Sequence, residues 1–124
     1  MKIESNLIES LQDLGNDTQS AVRRFAGNTD LYTHFLLNFL KDDTYQKLSA
    51  ALQCEDWKAM LSEAHTLKGV AGNLGLNKLH QISADIVAAL RAGDFTAAKD
   101  AYGVLAIAYQ EIRAILEKAA GEST

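Results

Sequence analysis

The 124-residue chain contains no proline, one cysteine, and no apolar run that approaches the length of a membrane span. Each lack narrows the reading. Without proline nothing interrupts backbone hydrogen bonding, and with alanine and leucine abundant, long helices form readily. A lone cysteine, Cys54, rules out an internal disulfide and fits a reducing compartment. Residues Met1–Asn6 lack the apolar stretch of a secretion signal, so a cytoplasmic location is expected, either for a free protein or for a module of a longer membrane-bound one. The formal net charge of −4 argues against a nucleic-acid binder, and Arg23-Arg24 is too short for a basic patch. No glycine-rich loop joins a strand pattern to a helix, so the chain should not bind a nucleotide. His34, Cys54, His65 and His80 are scattered, with no HExxH and no Glu-x-x-His pair, so no metal or other cofactor is expected.

What the chain has is helical periodicity. Apolar positions recur over Glu4–Leu14, with Ile3, Leu7, Leu11 and Leu14 on one side, before Gly15-Asn16-Asp17 breaks the pattern. A short helix follows, with Thr18 as its cap and Val22 and Phe25 facing inward. A longer one starts near Asp30, carries Leu31, Phe35, Leu36, Phe39 and Leu40, and continues through a solvated bend at Asp42-Asp43-Thr44 to Leu52. Glu55 or Asp56 opens the next, whose inner side reads Trp57, Met60, Ala64, Leu67, Ala71 and Leu74 before Gly75 stops it. Asn77–Arg91 places Leu79, Ile82, Ile86 and Leu90 inward; Gly93 ends it and Asp94 caps a last helix with Ala98, Ala101, Leu105, Ala108, Ile112, Ile115 and Ala119 on one side. The Gly121–Thr124 tail should fray. The last four long helices are joined by short turns, which predicts an all-α fold. Its form is an antiparallel up-down-up-down four-helix bundle with one or two extra short N-terminal helices, in a single domain over residues 1–124.

Two internal stretches echo each other. Ala51-Leu52-Gln53-Cys54-Glu55-Asp56-Trp57-Lys58-Ala59 resembles Ala89-Leu90-Arg91-Ala92-Gly93-Asp94-Phe95-Thr96-Ala97. A repeat array needs about three copies, so the echo predicts two similar helix–turn–helix corners within one bundle. Trp57 and Phe95 then read as core plugs at helix starts, and Cys54 as a small, partly buried side chain.

The most informative stretch is Ala64-His65-Thr66-Leu67-Lys68-Gly69-Val70-Ala71-Gly72-Asn73-Leu74-Gly75. Gly69 and Gly72 fall inside a helix, where each costs about 0.5–1 kcal/mol relative to alanine. His65, Lys68, Gly69 and Gly72 are spaced i, i+3, i+4 and i+7, so they lie on one stripe. Free histidine titrates near about 6.5, so much of it is neutral near pH 7 and has a lone pair. A nucleophilic ring, a cation one turn away and then almost no side-chain bulk suit a histidine that must be touched by another protein and must carry an anion.

The run His65-Thr66-Leu67-Lys68-Gly69-x-Ala71-x-x-Leu74-Gly75 resembles the signature of histidine-containing phosphotransfer (HPt) domains of bacterial phosphorelays. The flanking Leu31-Tyr32…Phe39-Leu40, Asp56-Trp57 and Gly93-Asp94-Phe95 stretches share the likeness, which spans roughly residues 18–118. The resemblance implies that His65 accepts a phosphoryl group at Nε2. It also implies that Lys68 steadies the added charge and that Gly69 and Gly72 leave room for a docking partner. By the same likeness the partners are response-regulator receiver domains and a hybrid sensor histidine kinase. Mg²⁺ would be held by the receiver, with no nucleic acid, no membrane contact and a monomeric carrier without a nucleotide site of its own. HPt relatives often place a polar residue near Val87 to hold the second ring nitrogen. Valine cannot, which leaves Gln81, Ser83, Asp85 or a backbone carbonyl as stand-ins. His34 and His80 lack such company and read as surface or structural residues. Two other readings stand beside the carrier: a non-catalytic module that docks receivers without moving phosphate, and a hydrolase using His65 and Lys68. The hydrolase would need a pocket with carboxylates or an oxyanion site.

Overall fold

A computed structural model describes residues 2–122, with side chains from Asn6 to Gly121. The helices run α1 (Lys2–Asp13), α2 (Thr18–Arg24), α3 (Thr29–Asn38), a single 3-10 turn (Phe39–Lys41), α4 (Thr44–Gln53), α5 (Trp57–Asn73), α6 (Asn77–Arg91) and α7 (Phe95–Glu122), with no strand among the described residues. The inward reading of Ile3 and the fraying of Ser123 and Thr124 lie outside the described residues; Gly121 is helical.

Starts and stops follow local chemistry. Asp17, Asn28, Asp56 and Asp94 each accept, through a side-chain oxygen, the N–H three residues on (Ser20, Leu31, Ala59 and Ala97, at 2.9–3.1 Å). Each bond satisfies one of the orphan donors of a helix N-terminus. Asp17, not Thr18, is therefore the cap of α2; Thr18 is fully buried instead. At the far end of α5, Gly75 adopts φ +72, and a Cβ there would sit 2.5 Å from the Asp17 carbonyl oxygen. The Asp17 N–H in turn donates to the Gly75 oxygen at 3.0 Å, so this glycine lets the start of α2 close on the end of α5.

The two echoing segments form corners with the same hydrogen bonds. The Asp56 N–H donates to Ala51 and the Asp94 N–H to Ala89, both at 2.9 Å. The Glu55 N–H donates to Leu52 and the Gly93 N–H to Leu90, at 3.0 and 3.1 Å. Gly93 is left-handed at φ +72, and Glu55 occupies the matching place at φ +53, where a side chain is strained. The aromatics that follow do not plug the core separately. Trp57 and Phe95 stack on each other, centroids 4.5 Å apart, and Phe95 is exposed.

The core is continuous. α4 packs on α5, α5 on α6 and α6 on α7, while α1 and α3 lie against α7. Leu48, Met60, Leu67, Leu79, Ile86, Leu105 and Leu116 are fully buried, and Tyr45, Tyr102 and Tyr109 tie α4 to α7, with the Tyr45 and Tyr109 rings stacked at 3.9 Å. Leu14 departs from the periodicity and points outward, whereas Val22 and Phe25, beside the fully buried Ala21, and Ala101 and Ile115 pack half-buried against the core. Cys54 is exposed at a corner. The helix expected to run from Asp30 to Leu52 divides: Asp42 is extended (ψ +125) and its carboxylate accepts the Thr44 N–H at 2.8 Å, which ends one helix and starts another. Three short helices therefore precede α4, rather than one or two.

Candidate functional site

α5 is oriented by what it buries. Met60, Ala64, Leu67 and Ala71 are completely enclosed, at the i, i+4, i+7, i+11 spacing of one helical face. The opposite face is thereby held outward, and His65 is exposed on it. Its ring makes no hydrogen bond and no ion pair among the described residues. Lys68, half-buried one turn on, likewise has no carboxylate partner among them. None of the proposed stand-ins reaches the second ring nitrogen. Val87 is buried, Ser83 is buried with its hydroxyl unpartnered, and Gln81 donates to Asp85 at 3.1 Å.

The two glycines of the stripe differ. A Cβ at Gly69 would meet nothing within 4 Å, so the surface there is open. A Cβ at Gly72 would lie 2.9 Å from Nδ1 and 3.2 Å from Cε1 of His80, which reaches across from α6. The space beside Gly72 is therefore taken by a neighbour from within the fold and Gly72 is only part-exposed, whereas Gly69 presents open backbone to solvent. His80 Nδ1 also lies 2.9 Å from the Lys68 carbonyl oxygen, so His80 has a structural bond of its own.

Two further features flank the stripe that the sequence pattern did not point to. Arg24, from α2, donates to the Gly72 carbonyl at 2.8 Å and the Asn73 carbonyl at 3.1 Å, placing a cation at the negative end of α5. Of the apolar residues this helix carries, Leu31 and Phe35 are 40% and 44% exposed, because Tyr32 and Leu36 take the inner face of α3. Phe35 packs at a tilt on Phe25, ring centroids 5.4 Å apart, and, with Asn38, Val70 and Asn73, lines a shallow groove between α3 and α5. The alternation of α3 could have revealed this: Tyr32 and Leu36 form an i, i+4 pair as good as Leu31 and Phe35, and Tyr32 gains a buried bond to the Leu74 carbonyl at 2.7 Å.

The site is thus an all-helical frame that holds an imidazole exposed, with no hydrogen bond or ion pair to it among the described residues. A family model described as the Hpt domain matches residues 40–117, and the chain belongs to that family. Its members act as histidine phosphocarriers in phosphorelays rather than as enzymes with their own nucleotide site. No curated protein and no solved structure matches the chain. No helix among the described residues is long and apolar enough to cross a membrane.

Proposed function

We propose that this chain accepts a phosphoryl group on His65 from the phosphorylated aspartate of one receiver domain and passes it to another. The exposed, unpartnered imidazole beside open backbone at Gly69 carries this reading. In the forward step the His65 Nε2 lone pair forms an N–P bond as the P–O bond of the acyl phosphate breaks. The carboxylate returns to the receiver, and the ring's Nδ1 proton leaves to solvent. The product carries up to about two negative charges, and Lys68, whose side-chain base lies roughly 5–6 Å from that of His65, offsets them as a mobile point charge. Little else is asked of a carrier, since phosphoryl transfer depends mainly on positioning and electrostatics. Mg²⁺ belongs to the receiver.

The three-residue links between α4, α5, α6 and α7 support an antiparallel up-down-up-down reading of those helices within one domain. Receivers dock on the outer side of α5, from Lys58 and Ser62 through His65 to Gly69, and on the apolar edge of Leu31 and Phe35. A monomeric carrier at the cytoplasmic side, working with a hybrid sensor kinase, fits this arrangement. The exposed ring also disfavours the hydrolase alternative, which needs an enclosed site.

Incubation with a phosphorylated receiver should place an acid-labile label on the wild-type chain and none on His65→Gln. Label retained by that variant refutes the assignment, whereas receiver binding with no phosphohistidine in the wild type favours the docking-only alternative. Lys68→Ala should slow transfer or shorten the lifetime of the label.

A further inference from the structure

We propose that His80 is a positioning residue for phosphotransfer: it braces the glycine-bearing turn of α5 that follows His65. The proposal rests on the carrier function just described, and its geometry is independent of it. Gly69 and Gly72 leave the stretch just after the acceptor histidine with the greatest backbone freedom of any part of α5. His80, on α6, covers that stretch. A carbonyl oxygen only accepts, so His80 Nδ1 carries the hydrogen of its 2.9 Å bond to the Lys68 oxygen. In a regular helix that oxygen already takes the Gly72 N–H. The added bond therefore ties α6 to the one turn that contains both Lys68 and Gly72 and spans Gly69.

The fit is steric as well. A Gly72 Cβ would stand 2.9 Å from Nδ1 and 3.2 Å from Cε1 of the ring, so the imidazole holds this place because residue 72 is glycine. Gly69 has no such neighbour and stays open to a partner. One glycine admits the second protein and the other admits the brace that steadies the first. Because the Lys68 carbonyl is pinned, the backbone from which its ammonium swings is held relative to His65 one turn earlier. His80 touches neither phosphoryl group nor partner in this account and acts only through Lys68 and the turn.

Two variants of the full-length chain separate donor from bulk. His80→Phe keeps a ring and removes the donor, whereas His80→Asn keeps an N–H at the place of Nδ1 and removes the ring. Amide hydrogen exchange is read residue by residue, together with the rate of labelling by a receiver phosphorylated with acetyl phosphate. Loss of one neutral hydrogen bond predicts exchange at Gly69–Asn73 faster by roughly two- to twelvefold in His80→Phe. Amides of α7 should be unchanged, labelling of His65 slower, and both defects reversed in His80→Asn. If His80→Phe does not fold, Gly72→Ala, which displaces the ring while leaving His80 in place, should give the same local acceleration. Exchange in the turn at the wild-type rate overturns the brace; so does uniform acceleration that includes α7, or His80→Asn behaving as His80→Phe. A wild-type chain that no receiver labels overturns the carrier reading, and the exchange profile then still decides the brace.

Discussion

The same substitution, glycine to alanine, should have opposite consequences at Gly69 and Gly72, three residues apart on one helix. In a helix interior alanine is favoured over glycine by about 0.8–1 kcal/mol. At Gly69 a Cβ meets nothing within 4 Å, so that gain should appear undiminished. For a domain of this size about 1 kcal/mol corresponds to roughly 4 °C in Tm, and Gly69→Ala should melt about 3–4 °C higher. Gly72→Ala has the same intrinsic gain, but its Cβ would stand 2.9 Å from His80 Nδ1. The ring must move, which forfeits its bond to Lys68, about 0.5–1.5 kcal/mol. Repacking adds a cost of about 1–3 kcal/mol. The net is a loss centred on about 2 kcal/mol, within a range of about 0.5–3.7 kcal/mol, and a Tm lower by roughly 8 °C at that centre. Function should move the other way at Gly69: a methyl on the docking face should slow phosphoryl transfer from a receiver roughly tenfold, equivalent to about 1.4 kcal/mol of poorer fit, in a protein that is more stable than wild type. Thermal melts by circular dichroism and a labelling time course decide both. A destabilised Gly69→Ala would show that the fold itself needs that glycine, and unchanged transfer would show that no partner uses the opening.

Three further outcomes follow from particular contacts. Leu31→Ser or Phe35→Ser removes part of an exposed apolar edge and should weaken receiver binding by about fivefold, near 1 kcal/mol of lost burial, with wild-type helicity; unchanged affinity by titration calorimetry would exclude α3 from the interface. Glu55→Gly relieves a left-handed side chain worth about 1 kcal/mol and loses an exposed 3.5 Å pair with Lys99 worth at most about 1 kcal/mol. Its Tm should therefore match or exceed that of wild type, whereas Gly93→Ala at the twin corner should lose about 1 kcal/mol. Burial pushes the hydroxyls of Tyr32 and Tyr45 up to about 12, above the value near 10 of an unfolded chain. Their raised values favour the folded state fully below pH 10, and that stability is lost as pH rises from about 10 to 12. The ring signals of Tyr32 and Tyr45, followed individually by NMR, should report ionisation only together with unfolding, and either one ionised at full native signal near pH 10 would contradict the burial.

The helices, their acidic caps and the inner face of α5 were legible because each is written in local chemistry. Asp56 and Asp94 sit three residues before the N–H they bind, and Met60, Ala64, Leu67 and Ala71 repeat at helical spacing. The paired corners were legible as well, since the echo of Ala51–Ala59 in Ala89–Ala97 became one set of hydrogen bonds used twice. What escaped is whatever depends on a choice between equivalent local patterns. α3 offers two apolar i, i+4 pairs, Leu31 with Phe35 and Tyr32 with Leu36, and periodicity cannot rank them. The Tyr32 hydroxyl finds its acceptor at Leu74, 42 residues away, and that bond is settled only when the helices meet. Asp42 and Asp43 likewise marked a bend without disclosing that the Asp42 carboxylate would turn it into a break. Gly69 and Gly72 look alike in the motif, and only the arrival of His80 from α6 distinguishes an opening for another molecule from a seat for a neighbour.

That distinction bears on how the site works as a whole. A histidine used for acid–base chemistry within one chain is normally oriented by a partner on its second nitrogen, and here Val87, Ser83 and Gln81 all fail to supply one. A ring left free can turn to meet whatever docks, so precision has to come from its surroundings rather than from a bond to the ring. α5 supplies it on three sides: the buried Ala64–Leu67 face beneath, Arg24 across the terminal carbonyls, and His80 on the Lys68 carbonyl. The backbone is fixed and the side chain is free. On the proposed carrier function, that division helps a module that faces a donor and then an acceptor of the same chemical kind, because neither partner finds the ring committed to an orientation the other requires.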